Sequence, residues 1–170
     1  MMQTTKMLPF FLGLTMSLFQ LHFSMPARAQ GNTATVTGSG KITEPNGTID
    51  SFSFGAIRDS DGSVSGQMQF VRHPDGVGLD IRAHFDITCL VIQGNEATII
   101  GSTKTSNIPG VPEGFPVFFS VQDNGEGNDD LPDQMSGPFV FDADDDQSCR
   151  FIILPRLPVE KGNIQVRVDE

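Results

Sequence analysis

Between Leu79 and Cys89 apolar and polar residues take turns along the chain. Leu79, Ile81, Ala83, Phe85, Ile87 and Cys89 hold every second position, with Asp80, Arg82, His84, Asp86 and Thr88 between them. A period of two puts the first set on one face of a β-strand and the second on the other. The run is long for one strand, so a bulge or bend is expected to divide it. Other windows repeat the pattern: Phe52, Phe54 and Ala56; Met68 and Phe70; Phe115, Val117, Phe119 and Val121; Ile164, Val166 and Val168. Phe139 with Phe141, and Phe151 to Leu154, are shorter strand candidates.

Turn signals separate these windows. They include Pro45-Asn46-Gly47, Asp59-Ser60-Asp61-Gly62, Pro74-Asp75-Gly76, Gly94-Asn95, Asn124-Gly125 and Gly162-Asn163. Asn-Gly and Asp-Gly steps supply the positive φ of tight turns. Short strands at this spacing, with no helical window after residue 29, predict an all-β fold. The expected architecture is an antiparallel β-sandwich or small barrel of about 8–10 short strands in a single domain over residues 30–170.

Residues 1–29 carry Lys6, an apolar run from Met7 to Phe23 broken by Pro9, Gln20 and His22, and then Ala27-Arg28-Ala29. This is the layout of a signal peptide cut after Ala29. The apolar run falls short of the roughly 20 residues needed to span a bilayer. The expectation is a secreted or periplasmic protein with no membrane span, acting as a monomer or as a module.

The 170 residues include 11 basic and 21 acidic side chains, a net charge of -10. Such a charge repels nucleic acid and anionic membrane surfaces, so neither is an expected partner. There are 14 Phe and no Trp or Tyr. That composition counts against a sugar-stacking platform and against a typical aromatic hot spot.

The two cysteines, Cys89 and Cys149, are expected to form a disulfide in an oxidising compartment. Cys89 is in phase with the apolar face of its strand, so its sulfur is expected to point into the core.

No basic residue lies between Lys104 and Arg150, and the acidic side chains there include Glu113, Asp123, Glu126, Asp129, Asp130 and Asp133. Asp142, Asp144 and Asp146 stand at first, third and fifth positions, the spacing at which oxygens converge on Ca²⁺. Gln147 stands where the EF-hand loop has Gly, and Ile153 where it has its bidentate Glu. The competing reading is a solvated acidic loop. Asp59-Ser60-Asp61-Gly62 also resembles the start of a Ca²⁺ loop, but its place between two strand windows predicts a hairpin turn. His73 and His84 with a carboxylate are candidates for a Zn²⁺ or small hydrolase site, but their 11-residue gap is not a recognised ligand spacing, and the many Asp leave a paired-carboxylate glycosidase open on composition alone. No nucleophile elbow, P-loop, dinucleotide fingerprint or His-Glu-x-x-His motif is present.

A set of pieces in order gives a resemblance. They are Gly38 to Ile42, Ser51 to Ala56, Gly66 to Phe70, Thr88-Cys89, Gly94 to Gly101, Val121 to Glu126, Cys149, and Gly162 to Val166. Together they resemble an uncharacterised family of small secreted bacterial β domains, the post-COAP type. The stretch from Asn128 to Gln147 departs from the pattern, being longer and more acidic. The resemblance implies an extracellular β domain and no catalytic role. The leading expectation is a secreted non-enzymatic domain with a structural or binding role toward an unknown protein or surface ligand, with no cofactor. The alternatives are a Ca²⁺-dependent adhesion or interaction module and a small secreted hydrolase.

Overall fold

The structure, a computed structural model, describes residues 32–74, 78–126, 131–140 and 149–169. The N-terminal segment 1–29 and Asp142, Asp144 and Asp146 lie outside the described residues. Among the described residues ten strands form one antiparallel sheet. They are β1 (Ala34–Thr43), β2 (Ile49–Arg58), β3 (Val64–His73), β4 (Ile81–Gln93), β5 (Glu96–Ser106), β6 (Pro116–Gln122), β7 (Gln134–Met135), β8 (Phe139–Val140), β9 (Leu157–Pro158) and β10 (Lys161–Val168). The order is β10-β1-β2-β3-β4-β5-β6-β7-β9, and β8 pairs with β6 beside β7. The expected all-β single domain is therefore present, as a curled half-barrel.

Tight turns build the meander. Gly47, Gly62 and Gly94 take positive φ in the turns after β1, β2 and β4. The Asp59–Gly62 segment is a hairpin: the Asp59 N–H donates to Ser63 O, and the Gly62 N–H to Asp59 O, each at 2.9 Å. Asp61 accepts both the N–H and the hydroxyl of Ser63, which lowers its pKa. Curling brings opposite walls together, so Phe54 of β2 meets Phe119 of β6 edge-on at 5.2 Å between ring centroids. Val36, Ile42, Phe52, Met68, Phe85, Ile99, Val121 and Ile164 fill the same interior.

The expected break in β4 is a bulge at Thr88. Ile87 faces Gly101 and Cys89 faces Ile100, leaving Thr88 unpaired. A second shift lies between His84 and Phe85, where Lys104 of β5 is skipped. The extra residue at Thr88 reverses the phase of the rest of the strand. Leu90 then joins the interior cluster, and Cys89 joins a second cluster with Ile100 and Phe118. The expectation that the Cys89 sulfur points into the main core is thus corrected. Cys89 is buried, but on the opposite face of the sheet. Leu79, counted in the apolar set, precedes the strand and is 90% exposed.

The second cluster has its own cover. Residues Phe151 to Leu154, expected as a strand, form no strand. They run as a strap over the outer faces of β4, β5 and β6, with Ile152 and Leu154 packed on the cluster. Cys149 ties the strap to Cys89 through a disulfide, with the two Cα atoms 5.6 Å apart. Thr98, fully buried on β5, accepts the Ile152 N–H at 2.8 Å and donates to Ile152 O at 2.9 Å.

Candidate functional site

The two ends of the sheet are joined by carboxylates. The Ile164 and Val166 N–H groups of β10 point away from β1, toward the end of β6. Asp133 accepts the Ile164 N–H at 2.6 Å and the Asn124 N–H at 2.8 Å. Asp123 accepts the Val166 N–H and the Gly125 N–H, each at 2.9 Å. Glu126 accepts from the side-chain amides of Asn163 and Gln165. The Val159 N–H donates to Asp133 O and the Glu160 N–H to Lys41 O, which fixes the turn from β9 into β10. Asp123 and Asp133 of the acidic region are therefore engaged by backbone N–H groups, whereas Glu113 and Glu126 are exposed. Asp123 and Asp133, with Glu126 beside them, close the barrel wall.

A groove of about 520 Å³ opens beside this closure, lined by Glu44, Pro45, Arg72, Gly137 to Val140, and Pro155 to Leu157. Its size falls within the range of small-ligand sites. Arg72 occupies the last inward position of β3, directly opposite Asp50 on β2. Its Nε and Nη2 donate to the two Asp50 oxygens at 2.8 and 2.7 Å, and Nη2 also meets Glu44 at 3.3 Å. The guanidinium carbon lies 5.6 Å from the centre of the Phe70 ring. The Asp50 hydrogen bond raises the Arg72 pKa above its ordinary value. A fully buried Asp50 is tolerated because this fork satisfies both of its oxygens.

On the far wall Arg156 is anchored to Glu96 at 2.8 Å and to Val121 O at 3.3 Å. The apolar lining comes from Pro45, Pro138, Phe139, Val140, Pro155 and Leu157. Phe139 is 43% exposed and stacks on Phe118 at 5.8 Å. A Cβ added at Gly137 would sit 3.8 Å from both Arg72 Nη2 and Glu44 Oε1, an ordinary contact. The groove thus offers rigid apolar walls with two immobilised guanidiniums, each already matched by a carboxylate. That arrangement suits binding.

Arg72 and Arg156 escaped the sequence reading. The one signal for Arg72 is its in-phase charge at the end of the Met68, Phe70 series. His73 and His84 do not converge. Both are exposed on the outward face, His84 opposite Gln69, and four residues of strand place His73 about 13 Å further along. His73 instead pairs with Asp80 at 2.9 Å. Neither histidine lines the groove. Cys89 and Cys149 are joined, as expected. No group of three or more metal-ligating side chains occurs among the described residues, and no helix there is long and apolar enough to cross a membrane. Comparison with protein-family models, curated proteins and solved structures finds no match.

Proposed function

We propose that the protein is a secreted or periplasmic, non-enzymatic β domain with a structural or binding role, and that the Arg72–Arg156 groove is its contact site. The groove carries this reading: it is concave, apolar-walled and held open by side chains locked in ion pairs. Export is supported by the signal-peptide layout of residues 1–29 and by the Cys89–Cys149 disulfide. The resemblance to post-COAP-type domains agrees with an extracellular setting. The test is recovery of a partner from the native medium by the protein and by a Gly137→Phe variant, which fills the groove. A partner retained by the first and lost by the second supports the reading. The same partners on both, or none, overturns it.

The second reading is a Ca²⁺-dependent interaction module, favoured by the alternation of Asp142, Asp144 and Asp146. Ca²⁺ bound only to the folded state raises the melting temperature. A melt identical in millimolar Ca²⁺ and in excess chelator rejects it.

A further inference from the structure

The chain holds two Asn-Gly steps, Asn46-Gly47 and Asn124-Gly125. Both put the glycine at positive φ, 87° at Gly47 and 96° at Gly125. An Asn-Gly step can react with itself, because no Cβ screens the glycine nitrogen. That nitrogen gives up its proton and attacks the asparagine Cγ. The new N–Cγ bond closes a succinimide ring, the Cγ–Nδ2 bond breaks, and the amide nitrogen takes up a proton and leaves as ammonia. Water then opens the ring at one carbonyl or the other, leaving an aspartyl or an isoaspartyl residue. The rate rests on two local conditions: how readily the glycine N–H loses its proton, and how freely the asparagine side chain swings toward it.

The two steps differ on both counts. The Gly125 N–H donates to the Asp123 carboxylate at 2.9 Å, and the negative charge opposes loss of its proton. Asn124 is held at two atoms, its Nδ2 donating to Pro132 O and its N–H to the Asp133 carboxylate, each at 2.8 Å. Asp123 and Asp133 are the same groups that hold β10. Asn46, by contrast, is exposed in the turn between β1 and β2. Its Oδ1 accepts the Thr48 N–H at 3.0 Å, which draws electrons from Cγ, and its Nδ2, the leaving group, has no partner among the described residues. The Gly47 N–H donates to an uncharged acceptor, Glu44 O, at 2.9 Å. We propose that Asn46 is a site of spontaneous deamidation, and that the carboxylates closing the barrel wall protect Asn124 from the same reaction. The product adds a negative charge in a turn whose Glu44 and Pro45 line the groove.

The test ages the intact disulfide-bonded protein in mildly alkaline buffer, alongside a sample held unfolded in concentrated urea. Peptide mapping by mass spectrometry then follows amide-to-acid conversion at each asparagine over time. In the folded protein the Asn46 peptide is expected to convert about tenfold faster than the Asn124 peptide, or more, since reaction at Asn124 must first break hydrogen bonds to charged groups. In urea the two rates are expected to converge. Asn124 keeping pace with Asn46 in the folded protein overturns the proposal, as does an Asn46 that reacts in urea and not in the folded state. An equal gap in both samples places the difference in the flanking sequence and overturns protection by the carboxylates.

Discussion

The Asp133 carboxylate accepts the Ile164 N–H at 2.6 Å, across a separation of 31 residues. Among the described residues Ile164 has β1 on one edge and no strand on the other, so a side chain takes the place of a backbone carbonyl. Asp123 does the same for Val166 two residues on. This explains how a sheet whose last strands are only two residues long can still cover the interior. A buried N–H left unpaired costs about 1–3 kcal/mol, and the two aspartates remove that cost where the ladder ends.

Two glycines in neighbouring strands should respond oppositely to alanine. A Cβ at Gly66 would collide with the Gly55 carbonyl oxygen, where β2 and β3 approach closely. A Cβ at Gly55 meets only Thr37 Cγ2, at 3.9 Å. Gly66→Ala is expected to lose about 2 kcal/mol or more. Gly55→Ala is expected to gain about 0.5–1 kcal/mol, since glycine weakens a strand interior. Urea unfolding of both variants checks the contrast.

Replacing Arg72 by Leu leaves the Asp50 carboxylate buried without its partner. The expected loss is about 3 kcal/mol, at the lower end for broken buried pairs because the Arg72 side chain is 36% exposed. Asp50→Leu in the Arg72→Leu background should recover a large part of it. A double variant no more stable than Arg72→Leu would show that the pair matters through packing and not through charge.

Reduction of the disulfide should loosen the strap before the barrel. The bond closes a loop of sequence separation 60, which corresponds to about 4 kcal/mol in the chain-entropy model. The strap packs on the Cys89, Ile100 and Phe118 cluster and not on the interior one. Reduced protein is therefore expected to keep its β-sheet circular dichroism at 25 °C, melt at a lower temperature and expose Ile152 to rapid amide exchange. Thr98→Val should reproduce the loosening at Ile152 with the disulfide intact. Unchanged Ile152 exchange in both cases would contradict this.

Asp80 is a legible contributor to the pH dependence. The His73 hydrogen bond, helped by Arg82, holds the Asp80 carboxyl below its ordinary value of 3.8. A carboxylate with a depressed folded pKa adds stability that is fully present above the ordinary value and is lost as pH falls through the depressed one. Replacing His73 with Ala should raise the Asp80 pKa toward 3.8, as read by carboxyl carbon NMR. An unmoved titration would show that His73 is not the cause.

The alternating windows gave strands wherever one face meets the interior and the other meets water, as in β2, β3 and the first half of β4. β5 does not alternate, because the strap covers its outer face and both faces are buried at Thr98, Ile99 and Ile100. Phe151 to Leu154 read as a strand because an apolar run has the same composition whether it pairs or merely lies across a sheet. The disulfide was legible because two cysteines behind a signal-peptide layout leave few other outcomes. The roles of Asp123 and Asp133 were not, since a carboxylate that accepts an N–H group 43 or 31 residues away looks in sequence like any other acid in an acidic run. The groove was hidden for a similar reason: its walls come from four separate parts of the chain.

Amide hydrogen exchange at Ile164 and Val166 tests the closure most directly. Closure by the two aspartates predicts that both amides in the intact protein exchange as slowly as those at the centre of β2. In Asp133→Ala, which should lose about 3 kcal/mol, Ile164 should become the faster of the two. Exchange of both amides in the intact protein at the rate of an open strand edge would contradict it.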